Sequence, residues 1–298
     1  MKKQKDNILN ELATSQEFEF LKTTKISFSK TKEEIWENFS NELVNQTKEQ
    51  FHTRVISLNW LKISAAAVIL LLIGTGIFLK FYTKNIYSKK GEHISHILPD
   101  GSKIEINAES SIYYHPYWWS FEREINFEGE AFFEVTKGKN FKVFSANGFT
   151  QVLGTSFNIY ARKNDYKVYC ETGKVKVSST KTKIDFIISR GEMAVIDNNN
   201  KFVEIKNIKP ENILGWKNNK FIFTSESLSY VFDELERQYD IKIETNLRNP
   251  SEYIYTGYFS KDVSAKTSLN FICKSFNFTF VELGKSEYKV LQNEKCIK

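Results

Sequence analysis

A histidine pair, three glutamates, one cysteine and two adjacent tryptophans have types and spacings that could do chemistry. His93 and His96 could ligate a metal ion, and Glu128, Glu130 and Glu134 could supply the paired carboxylates of glycoside hydrolysis. Cys273 could act as a nucleophile, and Trp118 and Trp119 could stack on sugar rings. The surroundings weigh against each reading. The strand-like context of His93 and His96 puts residues i and i+3 on opposite faces. Alternation places the three glutamates on one face, the solvated side of a polar-out strand. Cys273 falls on an apolar helix face and reads as core. One of two adjacent strand residues points inward, so at most one tryptophan is a platform. Nucleotide loops, G-x-S-x-G elbows and H-E-x-x-H motifs are absent. The expectation is a protein that is not an enzyme, with no catalytic, metal or cofactor site.

Composition agrees with a binding protein made of several parts. The 298 residues are 41% hydrophobic and 26% charged, ordinary for globular chains and enough for about two domains. Cys170, Cys273 and Cys296 are too few and too scattered for a disulfide scaffold or zinc site. The net charge of +6 is mild, and no segment is basic enough for a nucleic-acid groove, so direct nucleic-acid binding is not expected.

One segment divides the chain. Ile63 to Leu79 is 17 residues without a charge, about 25 Å of helix at ~1.5 Å per residue. Trp60, Phe81 and Tyr82 suit the membrane interfaces, while Lys62 and Lys80 can snorkel outwards. Residues 60–82 therefore read as a transmembrane helix in contact with lipid, represented by Ile63, Leu70, Gly74, Gly76 and Leu79. Gly74-Thr-Gly76 weakens that helix locally, which would help an intramembrane protease unwind it. Lys48, Arg54 and Lys62 precede the core of the span and Lys80, Lys84, Lys89 and Lys90 follow it, so charge gives no support for a cytoplasmic N-terminus.

Residues 1–59 read as a small helical module. Thr31 followed by Glu34 is a capping box, and Ile35, Trp36, Phe39 and Leu43 share one helical face. Ile8, Leu9 and Leu12 suggest another short helix. So few large apolar residues bury only a marginal core, so Trp36 and Phe39 either pack on Leu9 and Leu12 or contact a partner. Residues 83–91 read as a polar linker. Residues 92–208 show short alternating runs between Gly, Asn and Asp turns, an all-β sandwich or roll. Residues 213–292 alternate strand and helix periods in the order β-α-β then β-α-β-β, a small α+β domain with Thr224 or Ser225 capping its first helix. Its open sheet edges, near Tyr253, Tyr255 and Tyr258 or near Tyr288 and Val290, could accept a strand from another protein.

Five motifs then stand in order. Leu98-Pro-Asp-Gly-Ser102, Ile106-Asn-Ala-Glu-Ser110, Phe127-Glu-Gly-Glu-Ala-Phe-Phe-Glu-Val135, Val152-Leu-Gly-Thr-Ser-Phe-Asn158 and Thr172-Gly-Lys-Val175 resemble the FecR family of single-pass inner-membrane anti-sigma factors. Phe232-Asp-Glu-Leu-Glu-Arg-Gln-Tyr-Asp240 resembles the additional C-terminal domain of some members, which is similar to the signalling domain of secretins and TonB-dependent receptors. The resemblance implies that residues 1–59 lie in the cytoplasm and bind an extracytoplasmic-function sigma factor through Ile35, Trp36, Phe39 and Leu43. It implies periplasmic C-terminal domains that meet the signalling domain of a TonB-dependent outer-membrane transporter, an orientation opposite to the local charge count. A membrane-anchored periplasmic carbohydrate-binding protein using Trp118 or Trp119 is the alternative. The motifs themselves read as turns and strand bends, with Gly129 and Gly154 allowing bends or close packing.

Overall fold

The computed structural model describes residues 29–46, 58–163, 165–196 and 202–292. The chain divides into two units at residues 67 and 68, inside a helix. The first unit holds helix α1 (Lys32–Gln46) and the start of α2 (Leu58–Phe81). Ile8, Leu9, Leu12 and Cys296 lie outside the described residues. Helix α2 is apolar all round, as a membrane span must be, and is long and apolar enough from Trp60 to Phe81 to cross one.

The second unit begins with the rest of α2 and passes into thirteen described strands: β1 (Lys84–Ser88), β2 (Ile94–Ile97), β3 (Lys103–Ile106), β4 (Ser110–Tyr114), β5 (Arg123–Glu134), β6 (Phe141–Phe144), β7 (Gly148–Val152), β8 (Ser156–Arg162), β9 (Asp165–Thr172), β10 (Lys174–Ser179), β11 (Asp185–Ser189), β12 (Met193–Ile196) and β13 (Phe202–Ile205). The expected linker is therefore corrected. Lys84–Ser88 pairs antiparallel with β4, and only Tyr82 and Thr83 separate it from α2.

Strand β5 belongs to both faces of the β-domain. Its first half pairs with β4 and β6, in the sheet order β1-β4-β5-β6-β7-β10-β11. Its second half pairs with β3 and β8, in the order β2-β3-β5-β8-β9-β12-β13. The change of sheet falls at Gly129, whose φ is +111°. A Cβ there would lie 2.3 Å from Ser110 Oγ, so only glycine lets the strand turn the corner. Alternation fills the space between the sheets. Val175 and Val177 point inward while Lys174 and Lys176 do not, and Ile104, Ile106, Ile125, Phe133, Phe141, Phe157 and Ile159 meet in one buried core. The expected Pro-Asp-Gly turn closes from Gly101 N–H to the Leu98 carbonyl at 3.0 Å. Its Asp100 pairs with buried Arg123 at 2.8 Å, and Arg123 also donates to the carbonyls of Thr136 and Lys139.

Helix α3 (Pro210–Leu214) and a 3-10 turn lead to a second core. There β14 (Lys220–Ser227), α4 (Leu228–Tyr239), β15 (Lys242–Thr245), β16 (Ile254–Ser260), α5 (Ala265–Ser275), β17 (Phe278–Gly284) and β18 (Glu287–Gln292) follow one another. Strands β14 and β16 form one antiparallel pair; β15, β18 and β17 form a three-stranded sheet with β18 in the middle. Leu228, Val231, Phe232 and Leu235 of α4 and Leu269 and Ile272 of α5 bury their helical stripes against it. The cap of α4 is Ser227, accepting from Tyr230 N–H at 3.3 Å, rather than Thr224 or Ser225, because β14 continues past a bulge between Phe223 and Glu226.

Candidate functional site

Helix α1 presents the first candidate surface. Its capping box is reciprocal: Thr31 Oγ1 accepts from Glu34 N–H at 3.2 Å, and Glu34 Oε2 accepts from Thr31 N–H at 3.1 Å. At ~100° per residue, Ile35, Phe39, Leu43 and Trp36 span less than a third of the circumference. Trp36 is 70% exposed and Phe39 52%, with their ring centroids 6.1 Å apart. Exposed aromatic rings side by side on a capped helix form a surface that can seat in a partner's groove.

The second candidate is a buried polar seam between the β-domain and α4. Glu130 is enclosed, not solvated as its strand pattern suggested, because α4 and the 3-10 turn cover that face of the sheet. Its Oε2 accepts from Asn107 Nδ2 at 2.8 Å and its Oε1 from Asn158 Nδ2 at 2.9 Å. Across the seam, Gln238 Nε2 donates to Asn107 Oδ1 at 2.7 Å and to Glu234 Oε1 at 2.9 Å. Arg237 then holds Glu234 through Nε and Nη2 at 3.2 and 3.0 Å. Burial pushes the Glu130 carboxyl up to about 7, with the Glu234 carboxylate adding and Arg162 opposing.

Other contacts close the seam. His93 Nε2 meets Gln238 Oε1 at 3.0 Å, and its ring lies edge-on to Trp216 at 5.4 Å. Burial, with Lys261 adding, holds His93 below its ordinary pKa. Tyr160 and Tyr230 pack 6.0 Å apart with the Lys167 ammonium 5.4 Å from each. Lys163 and Asp233 pair at the rim at 2.7 Å. Two small cavities of about 60 and 100 Å³ border Glu130 and Tyr230, room for waters rather than for a typical ligand of several hundred Å³. His96 instead bonds Tyr114 at 2.9 Å, and no group of three or more metal-ligating side chains occurs among the described residues.

The third candidate is a strand edge. Among the described residues β16 pairs only with β14, so its other side is open. Ile254, Thr256 and Tyr258 project outward, Tyr258 being 79% exposed, while Tyr255 and Phe259 enter the core. The alternative edge is corrected: β18 lies between β15 and β17, and Tyr288 and Val290 are buried, so neither can meet an added strand. Tyr255 supports the edge from within, and Tyr253 precedes β16, half-buried against Phe276 and Phe278. Trp119 is buried against Tyr114 and Phe141, and Cys273 is also buried.

Residues 84–176 match the family described as FecR protein, and residues 220–289 match FecR, C-terminal. The chain belongs to the FecR family. Two crystal structures of a candidate anti-sigma factor from Parabacteroides distasonis, at 2.50 and 1.65 Å resolution, each align with a TM-score of 0.65 and 25% identity. They cover 72% and 71% of this chain and 100% of their own. No curated protein matches.

In this FecR-family chain the seam joins the two matched regions. Asn107, Glu130 and Asn158 come from three of the five sequence motifs, and Glu234, Arg237 and Gln238 from the C-terminal segment. Sequence reasoning treated those motifs as turns and bends. The signal that could have found the seam was the run of amide and carboxyl residues at positions where a strand pattern expects generic polar side chains. The span residues Ile63, Leu70, Gly74 and Gly76 lie exposed on α2, and neither glycine has an atom near its missing Cβ.

Proposed function

We propose that this chain is a membrane-spanning anti-sigma factor that acts by binding and not by turnover. Residues 1–59 lie in the cytoplasm and hold an extracytoplasmic-function sigma factor against the Ile35, Trp36, Phe39 and Leu43 face. The residues after α2 lie in the periplasm of a bacterium, with α2 in its inner membrane. There the signalling domain of a TonB-dependent outer-membrane transporter adds a strand to β16 beside Tyr258. A pull on that strand reaches the β-domain through the Glu130–Gln238 seam, and the sigma factor is freed, with or without cleavage of α2 at Gly74–Gly76. The observation that carries the reading is the exposed aromatic face of α1, capped at Thr31 and separated in sequence from the FecR regions by a segment fit to cross a membrane. The likeness to the Parabacteroides distasonis structures supports the sigma-factor partner.

The test is affinity capture of the detergent-solubilised full chain, with co-purifying proteins identified by mass spectrometry. Wild type recovers a sigma factor, and a Trp36→Ala/Phe39→Ala double variant loses it at least tenfold, the consequence of removing two interface aromatics worth more than ~1.4 kcal/mol together. Equal recovery by both proteins would remove the α1 face from the mechanism. Protease protection of the C-terminal domain in spheroplasts would overturn the orientation.

A further inference from the structure

The loop between β4 and β5 carries Tyr117, Trp118 and Phe121, and it packs against the end of α2. The loop is a short helical turn, with Trp118 N–H on the His115 carbonyl at 3.2 Å and Phe121 N–H on the Trp118 carbonyl at 3.0 Å. Buried Trp119 pins it to the β-core. The Tyr117 ring packs tilted against Tyr82 at 5.2 Å between centroids, and Tyr82 in turn against Phe78 of the span at 5.7 Å. The Lys80 ammonium sits 5.4 Å over Trp118 and 5.9 Å over Phe81. His115 Nδ1 lies 3.1 Å from the Tyr82 carbonyl, which ties loop and helix together.

These rings are not used up by those contacts. Tyr117 is 57% exposed and Phe121 67% exposed, as is Leu153 at 60% beside Phe121. Lys139, Arg123 and Lys142 border the same recess as Phe121 and Leu153, together with Glu122 and Glu124, the latter paired with Lys142 at 3.0 Å. A loop rich in Tyr, Trp and Phe, with charged side chains of both signs at its margin, has the aromatic content of a membrane-interface belt.

We propose that this loop, led by Tyr117 and Phe121, inserts into the headgroup–acyl boundary of the leaflet from which α2 emerges, so that the β-domain is seated on the membrane. The occupant follows from position. Helix α2 leaves the bilayer at Lys80–Tyr82, so rings touching Lys80 and Tyr82 stand at the lipid–water boundary, where Tyr and Trp are at their most favourable. Exposed apolar rings at that level meet lipid before they meet any soluble partner. The inference rests on the membrane-spanning reading of α2 and holds for either orientation of the chain.

The test uses the purified full chain in vesicles of phosphatidylethanolamine with a minority of phosphatidylglycerol. Nitroxide labels are placed at Phe121→Cys or Tyr117→Cys in a Cys296→Ser background; Cys170 and Cys273 are buried. A label at Leu70→Cys reports whether α2 itself is in the bilayer, and one at Tyr258→Cys serves as the water control. Tyr258 is three residues from Lys261, whose Nζ bonds the Gly91 carbonyl beyond the end of β1 farther from α2. Burial at the boundary excludes water-soluble reagents, so collision with a nickel chelate at 121 and 117 is expected to be about tenfold lower than at 258. Lipid-dissolved oxygen reaches 121 and 117 more readily than it reaches 258. Chelate access at both 121 and 117 equal to that at 258, with Leu70→Cys protected, overturns the loop proposal alone. Full access at Leu70→Cys as well overturns the membrane reading on which it rests.

Discussion

Replacing Glu130 by glutamine should flatten the dependence of stability on pH. The carboxyl is enclosed by Asn107, Asn158 and α4, and burial with the nearby Glu234 carboxylate raises it to about 7. The unfolded chain releases this proton near the ordinary glutamate value of ~4.3, so between there and 7 the folded state binds the extra proton. Stability must then fall as pH rises through that window and level off above it. At ~1.4 kcal/mol per pH unit the loss is about 4 kcal/mol. Glutamine keeps the neutral form at every pH. Its carbonyl can accept from Asn107, and its amide can donate to Asn158 Oδ1, which has no partner at present, after a half-turn of that amide. The variant should therefore unfold at higher temperature at pH 8, by roughly 8–16 °C at 2–4 °C per kcal/mol. Near pH 5 the two proteins should converge. The assay is thermal unfolding of the full chain in micelles from pH 5 to 8, followed by tryptophan fluorescence, since Trp216 borders the seam. His93, held low by burial, contributes the opposite slope in both proteins, so the difference between the curves isolates Glu130. Parallel curves for the two proteins would refute the buried-carboxyl account.

Gly129→Ala should cost about 3 kcal/mol or more, because its Cβ meets Ser110 backbone at 2.6 Å at a φ of +111°; a loss below about 1 kcal/mol in the same assay would contradict the corner. Arg123→Met should cost about 3 kcal/mol by leaving Asp100 without its cation, and the double variant with Asp100→Asn should recover part of it, read as unfolding temperature. Thr31→Ala should lower the stability of α1 by about 1 kcal/mol, measured as faster amide exchange over residues 33–40, with no change in the second unit.

Local chemistry was the legible part. The Thr31/Glu34 cap depends on residues three apart, and the stripes of α4 and α5 repeat within single helices. Alternation also marked residues 92–208 as a domain of short strands. What it could not give was the layer beyond a strand. The period of two says that Glu130 points away from the inner core; only the docking of α4 decides that this outer side is dry. Strand order was hidden for the same reason. Residues Glu287–Gln292 look like a last and therefore marginal strand, but parallel pairing with β15, about 45 residues earlier, puts them in the centre. The short run Lys84–Ser88 reads as polar linker because, at the edge of its sheet, just one of its side chains is buried.

That run changes the mechanics of the chain. A nine-residue tether would let the β-domain swivel freely and would dissipate torque. Here two residues join span to sheet, and both are clamped: Tyr82 N–H bonds the Phe78 carbonyl at 2.8 Å, and Thr83 Oγ1 the Phe81 carbonyl at 3.2 Å. Helix α2 runs into this joint as a continuous helix, at ~1.5 Å per residue, to its last turn at Phe78–Phe81. The joint leaves no slack tether between the last turn of α2 and β1, so a twist applied to the sheet is taken up first by that last turn.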